Sequence, residues 1–263
     1  MTLTETAELT SKLVCVTLLM QTLEILSLSR TTSFFQIWNY NNLKSILEIG
    51  LPLKNSMLRR LFSPQTFTLL IMVQIVLSLL GFFYHIPWVF LGLMLIHLYI
   101  CLWFRGTFNG GSDMMTFVVL SGVLIGQIGK TEYTIKLGFI YIAINTLYSY
   151  FKSGFSKIRQ HEWRVGNALP IFLNRSLFQD IKSISIWLES HRMLCLALCW
   201  GVIIFEILPA VIIFFPNWIY SYFITAMIFH FFNYLVFGLN RFFWIWLCAW
   251  PATLFCFSLV STK

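Results

Sequence analysis

Residues 194–215 read LCLALCWGVIIFEILPAVIIFF, a stretch whose only charged residue is Glu206. Crossing a hydrocarbon core of roughly 30 Å takes about 20 consecutive apolar residues in a helix, so this run is long enough to span a membrane. An ionised carboxylate in hydrocarbon is costly, so we expect Glu206 to have a partner or a proton. The stretch therefore predicts a transmembrane helix with one polar position inside it.

The whole chain has the composition of a membrane protein. Of its 263 residues, 58% are hydrophobic and 11% are charged, and Phe alone occurs 27 times. Apolar runs of similar length recur along the chain, whereas the alternation typical of a transmembrane barrel is absent. We therefore predict an all-α fold, a polytopic integral membrane helical bundle that forms a single domain over residues 1–263.

Eight transmembrane helices are predicted, because eight apolar runs are separated by polar or turn-forming residues. Seven spans with one re-entrant segment remain an alternative, since residues 231–250 are almost continuously apolar. The eight spans cover approximately residues 9–28, 65–84, 86–104, 114–129, 134–153, 194–215, 217–238 and 242–260.

Two long segments between the spans, residues 29–64 and 154–193, combine basic side chains with Trp and with apolar residues at helical spacing. This pattern is typical of amphipathic segments that lie in the membrane interface. Eight spans place both segments on one face, which then carries all but four of the 18 Lys and Arg residues. The positive-inside rule makes that face cytoplasmic. The four exceptions are Lys12, Lys130, Lys136 and Lys263.

Charge and cysteine usage exclude several function classes. The net charge of +8 comes from basic residues in loops between apolar runs, where membrane anchoring accounts for them, so the expected partner is the lipid bilayer and no nucleic acid. The six cysteines lie inside apolar runs and none forms a Cys-x-x-Cys pair, so the sequence predicts no metal site and no redox pair.

Two lysines close the fifth predicted span, in the stretch YFKSGFSK at residues 150–157. A lysine beside hydrocarbon is costly unless its long stem carries the ammonium group to the interface, which is the structural interpretation. The functional interpretation is that desolvation favours the neutral amine, which then acts as a general base. Lys152 and Lys157 are five positions apart, roughly 140° around a helix, so only one of them faces a given site.

Glu206 and His230 are further ionisable groups inside apolar runs, and each has two interpretations. Glu206 either clasps two helices or belongs to a site, and His230 is either a hydrogen-bonded packing residue or a site residue. Asn233 lies three positions after His230 and shares its helix face. At 1.5 Å per residue, we expect Lys157, Glu206 and His230 at depths of about 0, 20 and 12 Å below one face, where one open cavity could hold all three.

The segment Asn109-Gly110-Gly111-Ser112-Asp113 precedes the fourth span. Asn-Gly and Gly-Gly favour turns because glycine accepts positive φ, and Ser112 or Asp113 can cap the next helix. A turn with a cap is the simpler interpretation. The functional one gives Asn109 and Asp113 a part in substrate binding.

In this order, the clusters resemble the HTTM domain, the membrane domain shared with the vitamin K-dependent γ-glutamyl carboxylases. The resemblance covers about residues 60–260 and includes the segment at 109–113 and YFKSGFSKI at 150–158. The other matching pieces are Trp163, Val165-Gly166-Asn167-Ala168-Leu169, Phe205-Glu206 and His230-Phe231-Phe232-Asn233, followed by the aromatic tail to Trp250.

In those carboxylases, oxygen-dependent oxidation of vitamin K hydroquinone produces the base that removes the γ-proton of glutamate, and CO2 then adds. The resemblance implies that Lys157 deprotonates a quinone-type substrate in its hydroquinone form. It also implies that His230 assists, and it places the lysine face on the outer side, opposite to the charge count. Our hypothesis for the site adds Glu206 as a further partner group and Asn233 as an orienting residue. The residues assigned to substrate binding are Asn233, Lys152, Asn109, Asp113 and Trp163.

The chain also departs from the carboxylases. It ends after the last span without their large lumenal domain, so glutamate carboxylation is not expected. Smaller bacterial members of the family include a protein that helps to mature a secreted sporulation-delaying peptide, which favours a bacterial cell membrane. Two functions remain open: a carboxylase-like enzyme acting on a quinone or on a secreted peptide, and a non-enzymatic maturation, export or immunity partner of such a peptide.

Overall fold

A computed structural model describes residues 1–31, 33–44, 54–104, 110–176 and 178–261. Within these ranges every regular element is a helix, which confirms the all-α fold. The chain divides into two compact units, Met1–Gly138 and Phe139–Lys263, and the boundary falls inside a long helix. The single domain expected from the sequence stays a prediction.

Local sequence signals mark where helices of the first unit begin. Thr2 accepts a hydrogen bond from the Glu5 amide while the Glu5 carboxylate accepts one from the Thr2 amide, a reciprocal capping box at the first helix. Ser63 caps the helix that starts at Pro64, where a missing N–H costs nothing. The helices are α1 (Leu3–Ser29), α2 (Phe34–Ile37), α3 (Asn55–Leu61), α4 (Pro64–Phe83), α5 (Pro87–Trp103) and α6 (Gly110–Gly129).

Four of these helices pack in a ring, with α1 against α4, α4 against α5, α5 against α6, and α6 against α1. Helix α4 shows how the ring is built, because its buried residues recur every three or four positions and form one stripe. Its other faces are also apolar: the mean hydropathy is 2.3 in a stretch of which only 28% is buried. Such a surface suits lipid rather than water. The buried stripe consists of Phe67, Ile71, Gln74, Ser78 and Gly81.

An aromatic cluster packs where α3 and the start of α4 meet the end of α5. The Trp103 ring lies 4.5 Å from Phe67, and Phe62 stacks on it at 5.8 Å. Several apolar residues of the segment 29–64 are buried in this cluster, so their side chains pack on the protein. Interfacial placement of that segment therefore stays a prediction. The buried residues are Phe34, Leu43, Leu58 and Phe62.

The second unit contains the end of a long helix and a series of shorter elements. The long helix, α7 (Glu132–Arg159), has 28 residues, about 42 Å at 1.5 Å per residue, so it is longer than a hydrocarbon core of about 30 Å. It is followed by α8 (His161–Arg164), α9 (Ala168–Asn174), α10 (Gln179–Glu189), α11 (Arg192–Ile207), α12 (Pro209–Ile212), a 3₁₀ turn (Pro216–Trp218), α13 (Ile219–Phe237) and α14 (Asn240–Ser261).

Between α7 and α11, the segment 154–193, expected to be an interfacial anchor, forms α8, α9 and α10, which pack against α11. Trp163 and Ala168 are buried against Cys199 and Ile203 of α11. The indole Nε1 of Trp200 donates a hydrogen bond to the Arg164 carbonyl at 3.2 Å. These contacts cover one face of α11, and the interfacial role of the segment stays a prediction.

Six helices in the described part of the chain are long and apolar enough to cross a membrane, which supports a multi-pass membrane protein. The two remaining predicted spans also coincide with helices, but α5 has only 17 residues and α7 is more polar than the six. Eight spans and a bacterial membrane therefore stay predictions. The six are Leu3–Ser29, Pro64–Phe83, Gly111–Gly129, Arg192–Ile212, Pro216–Phe237 and Asn240–Val260.

Candidate functional site

Three polar side chains follow one face of α7. Tyr150, Ser153 and Lys157 are spaced i, i+3 and i+7, so the helix places them in a single stripe. Lys152 is exposed, whereas the Lys157 side chain is only 18% exposed. The two lysines thus point to different surroundings, as their angle of roughly 140° requires.

Lys157 forms an ion pair with Glu206 on α11. Its Nζ lies 2.6 Å from Oε2 and 2.8 Å from Oε1, and it also donates a hydrogen bond to Ser153 Oγ at 2.7 Å. The Ser153 hydroxyl in turn donates to Glu206 Oε1 at 3.1 Å. The Glu206 side chain is 5% exposed, so its charge is balanced by the ammonium group rather than by solvent. Of the two expectations for Glu206, a partner or a proton, the structure shows a partner, Lys157.

The indole of Trp163, from α8, covers the same ammonium group. Its ring centroid lies 5.1 Å from Lys157 Nζ, a distance at which the negative face of the ring attracts a cation. Three elements, α7, α8 and α11, therefore surround one positive charge.

Gly154 allows α7 and α11 to come close enough for this pair. A Cβ at position 154 would lie 2.9 Å from Glu206 Cβ and 3.0 Å from the Ile207 amide nitrogen. Ordinary Cβ atoms keep a larger distance, so any side chain here would have to move α11. The geometry of the ion pair depends on this glycine.

His230, from α13, forms a second buried pair with Tyr150. Its Nε2 lies 2.6 Å from the Tyr150 hydroxyl oxygen, and its ring stacks on Trp246 at 5.0 Å and 20°. Tyr150 and Lys157 are two helical turns apart, about 10 Å along the axis of α7. The two polar pairs are therefore neighbours on the same helix face.

Three buried polar atoms near Tyr150 have no hydrogen-bond partner among the described residues: His230 Nδ1, the Tyr222 hydroxyl and Trp246 Nε1. The Tyr222 and Trp246 rings lie 5.6 and 4.6 Å from the Tyr150 ring. Each buried polar group without a partner costs about 1–3 kcal/mol. A polar molecule that bonds to these atoms would offset that cost.

The expected difference in depth between Lys157 and Glu206, about 20 Å, is wrong. The two side chains are in direct contact, with 2.6 Å between Nζ and Oε2. The expectation assumed that α11 starts at the level where α7 ends. Lys157 is near the end of α7 and Glu206 is near the end of α11, so the ends of the two helices meet.

The other residues predicted to bind substrate do not all join this cluster. Trp163 does, through its ring, whereas Lys152 is exposed. The Asn233 amide donates a hydrogen bond to the Phe229 carbonyl of its own helix at 2.9 Å. Their roles in binding stay predictions.

The remaining two lie elsewhere in the chain. Asp113 is buried in the first unit, where its main-chain oxygen is 3.2 Å from His97 Nε2. Asn109 lies outside the described residues. The turn and cap expected at residues 109–113 can be followed only from Gly110, where α6 begins.

Two pockets open beside these elements of the second unit. An apolar pocket of about 280 Å³ begins two residues after Glu206, and a pocket of about 490 Å³ includes the polar residues Asn167, Glu189 and Arg192. Both sizes are near or within the range of small-molecule sites. The apolar pocket is lined by Leu208, Val211, Ile212, Phe215 and Trp218.

Tyr150 and Ser153 were not among the residues predicted from the sequence to act in the site. Their spacing from Lys157 was the signal that could have identified them, because i, i+3 and i+7 share a helix face. Tyr222 and Trp246 carry no such signal, since they reach Tyr150 only through the packing of other helices.

No protein-family model, curated protein or solved structure matches this chain.

Proposed function

We propose that this chain is an HTTM-like integral membrane enzyme of the carboxylase-like class, in which Lys157 removes a proton from a hydroxyl of a quinol. The observation that carries the proposal is the contact of 2.6 Å between a partly accessible ammonium group and a buried carboxylate. Ionisable residues are rare in membrane helices, and they mark proton and substrate pathways.

Glu206 can accept a proton from Lys157 and so convert the ammonium group into a neutral amine. In a site of low dielectric constant, a neutral amine beside a carboxylic acid competes with the ion pair, because neither neutral group needs solvation of charge. Transfer of one proton from Lys157 Nζ to Glu206 Oε2 breaks an N–H bond and forms an O–H bond over 2.6 Å. The amine then has a lone pair that can accept a proton.

The substrate hydroxyl supplies that second proton. After the transfer, Lys157 is again an ammonium group, Glu206 is a carboxylic acid, and the substrate oxygen carries the negative charge. The ammonium group lies next to the new anion and stabilises it. The Tyr150–His230 pair, two helical turns away, is a second place where a proton can be exchanged.

A quinol fits the surroundings of the pair. Ligand sites are mostly apolar with a few polar groups, and the pocket that follows Glu206 is lined by aliphatic and aromatic side chains. The hydroxyl of Tyr222 and Nδ1 of His230 are buried groups of the same unit that can bond to quinol oxygens. The second unit therefore offers apolar side chains for the ring of a quinol and polar groups for its oxygens.

The second candidate is a non-enzymatic partner of a secreted peptide, acting in its maturation, export or immunity. The observation that favours it is the mutual hydrogen bonding of Lys157, Ser153 and Glu206. A helix clasp needs such complete pairing and nothing more. In that case the charges only hold α7 against α11.

Replacing both charged residues separates the two candidates. The double variant Lys157→Met/Glu206→Leu exchanges a buried ion pair for apolar side chains of similar size, which is often neutral for folding. We expect it to unfold near the wild-type temperature but to lose quinol deprotonation. The measurement is an anaerobic titration of the purified protein with a naphthoquinol, at a pH where the free quinol is neutral, followed by the absorption of the bound anion.

The matched control is Lys152→Met, which makes the same substitution at the exposed lysine and should keep the anion signal. Mass spectrometry of co-purifying quinones gives a second readout, with a bound quinone expected in the wild type and lost in Lys157→Ala. A wild type that binds no quinol, or a double variant that still forms the anion, would exclude the enzymatic assignment.

A further inference from the structure

A second cluster of ionisable groups lies in the first unit, away from the residues of the proposed function. His97 and Cys101 are four positions apart on α5 and so share one helix face, and Asp113 lies in the first turn of α6. One imidazole nitrogen, the thiol sulfur and one carboxylate oxygen lie within 4.8 Å of one another. His97 is fully buried and Asp113 is 6% exposed.

The distances are close to those of a metal site. His97 Nε2 and Cys101 Sγ are 3.7 Å apart. In a tetrahedral zinc site with Zn–S of about 2.3 Å and Zn–N of about 2.05 Å, the nitrogen and sulfur ligands are about 3.6 Å apart. The separation of these two atoms is therefore that of a zinc ligand pair, and the carboxylate oxygen, within 4.8 Å of both, has to approach by up to about 1.5 Å.

The positions of the ligands are held by packing. The ring of His97 meets Phe117 of α6 edge-on at 4.8 Å, and its Nε2 lies 3.2 Å from the main-chain oxygen of Asp113. Without metal, Nε2–H donates to that carbonyl. A bound ion would take the place of this proton, so the tautomer of His97 would change, and the Asp113 carbonyl or the imidazole ring would have to move aside to make room for the ion.

We propose that His97, Cys101 and Asp113 bind a zinc ion. A thiolate together with an imidazole selects a borderline-soft transition metal over Mg²⁺ or Ca²⁺, which prefer oxygen ligands alone. The thiolate and the carboxylate each carry one negative charge and so attract a divalent cation. Three protein ligands leave a fourth position of the tetrahedron for water or a substrate atom.

This inference does not depend on the proposed function, because none of its ligands belongs to the second unit. Its sequence signal is His-x-x-x-Cys within one apolar helix, together with an aspartate at the start of the next. The absence of Cys-x-x-Cys, which argued against zinc, does not bear on this arrangement.

The test uses the full-length protein purified in detergent, stripped with a chelator and reloaded with Zn²⁺ or Co²⁺. Elemental analysis should find about one metal ion per chain after removal of excess metal. The cobalt form should show a thiolate-to-cobalt charge-transfer band in the near ultraviolet and the visible bands of a tetrahedral ion. Both should be lost in Cys101→Ser, and metal retention should fall at least tenfold in His97→Gln and Asp113→Asn.

The matched control is Cys256→Ser, the same substitution at the other partly buried cysteine, which should keep the metal and both absorption signals. If Cys101→Ser does not fold, the wild-type cobalt spectrum still tests the proposal, because a charge-transfer band appears only when a thiolate binds the metal ion. A reloaded wild type that retains no metal, or one whose cobalt form lacks that band, would overturn the proposal.

Discussion

At the scale of the residue, Lys152 and Lys157 show how position on a helix decides the chemistry of identical side chains. Lys152 is exposed, whereas Lys157 is bonded to both oxygens of Glu206 and to Ser153. Both lie in the same stretch of eight residues, and their surroundings differ because the two side chains point in different directions around the helix. The free energy of unfolding should therefore depend strongly on Lys157 and little on Lys152.

The ion pair makes a first prediction about stability. Glu206→Gln leaves the Lys157 ammonium without a carboxylate, and we expect a loss of about 3–5 kcal/mol because an uncompensated charge stays partly buried. Thermal unfolding of the purified protein measures this loss. Lys152→Met should change stability by less than about 0.5 kcal/mol, since its side chain is exposed. Equal melting temperatures for Glu206→Gln and wild type would show that the pair does not form.

Tyr150 makes a second prediction. Tyr150→Phe removes the hydroxyl that lies 2.6 Å from His230 Nε2, and we expect a loss of about 1–3 kcal/mol because a buried nitrogen loses its partner. Tyr148→Phe is the control, because Tyr148 lies two positions away on the same helix and is 57% exposed. The quantity to compare is the difference between the two variants in chemical or thermal unfolding. No difference would mean that His230 is satisfied without Tyr150.

At the scale of the element, the close approach of α7 and α11 rests on a missing side chain. Position 154 is in the interior of α7, where alanine favours a helix over glycine by up to about 1 kcal/mol. Packing opposes that preference, because a Cβ there would meet the backbone of α11 at 3.0 Å. Helix propensity and tertiary contact therefore predict opposite signs for the same substitution.

Gly154→Ala should thus destabilise the protein by about 1–3 kcal/mol, as overpacking does, and weaken the Lys157–Glu206 contact. Gly201→Ala is the matched control, since a Cβ at Gly201 in α11 has nothing within 4 Å, and we expect it to be neutral or stabilising by up to about 1 kcal/mol. Thermal unfolding of both variants measures whether each substitution raises or lowers the stability of the protein. A stabilising Gly154→Ala would contradict the observed approach of the helices.

At the scale of the whole molecule, the number of spans is decided by α5 and α7. Helix α5 has 17 residues, close to the lower limit for a span, and α7 is long but relatively polar. If both cross the membrane, the segments 29–64 and 154–193 emerge on one side and the turn near residue 131 on the other. If either does not cross, this relation changes.

Whether α5 and α7 cross the membrane can be tested with variants that carry one introduced cysteine and none of the six native cysteines. Asn55→Cys, Thr131→Cys and Gln179→Cys all lie at exposed positions. In sealed vesicles, an impermeant maleimide should label positions 55 and 179 from the same side and position 131 from the opposite side. Labelling of positions 55 and 131 from one side would mean that α5 does not span, and labelling of 131 and 179 from one side would mean that α7 does not.

The site could be predicted from the sequence only in part. Lys157, Glu206 and His230 stand out because charged or titratable groups are costly inside apolar runs, and that cost is visible without a structure. Their depth could not be predicted, because the rise per residue gives the distance along one helix and says nothing about the offset between two helices. The pairing of Lys157 with Glu206 depends on how α7 packs against α11, and the sequence of neither helix carries a signal for that packing.

The amino-acid sequence alone indicates that the chain is helical, apolar enough for a membrane, and polar at a few internal positions. These properties are local, because a helix satisfies its own backbone hydrogen bonds in lipid and its length and hydrophobicity can be summed residue by residue. Which polar groups meet is visible only in the folded chain. Lys157 and Glu206 are 49 residues apart and Tyr150 and His230 are 80 residues apart, so each contact depends on how helices pack against one another. That packing depends on how the shapes of two helices fit together, as at the space left by Gly154, and the sequence of one helix alone does not give this fit.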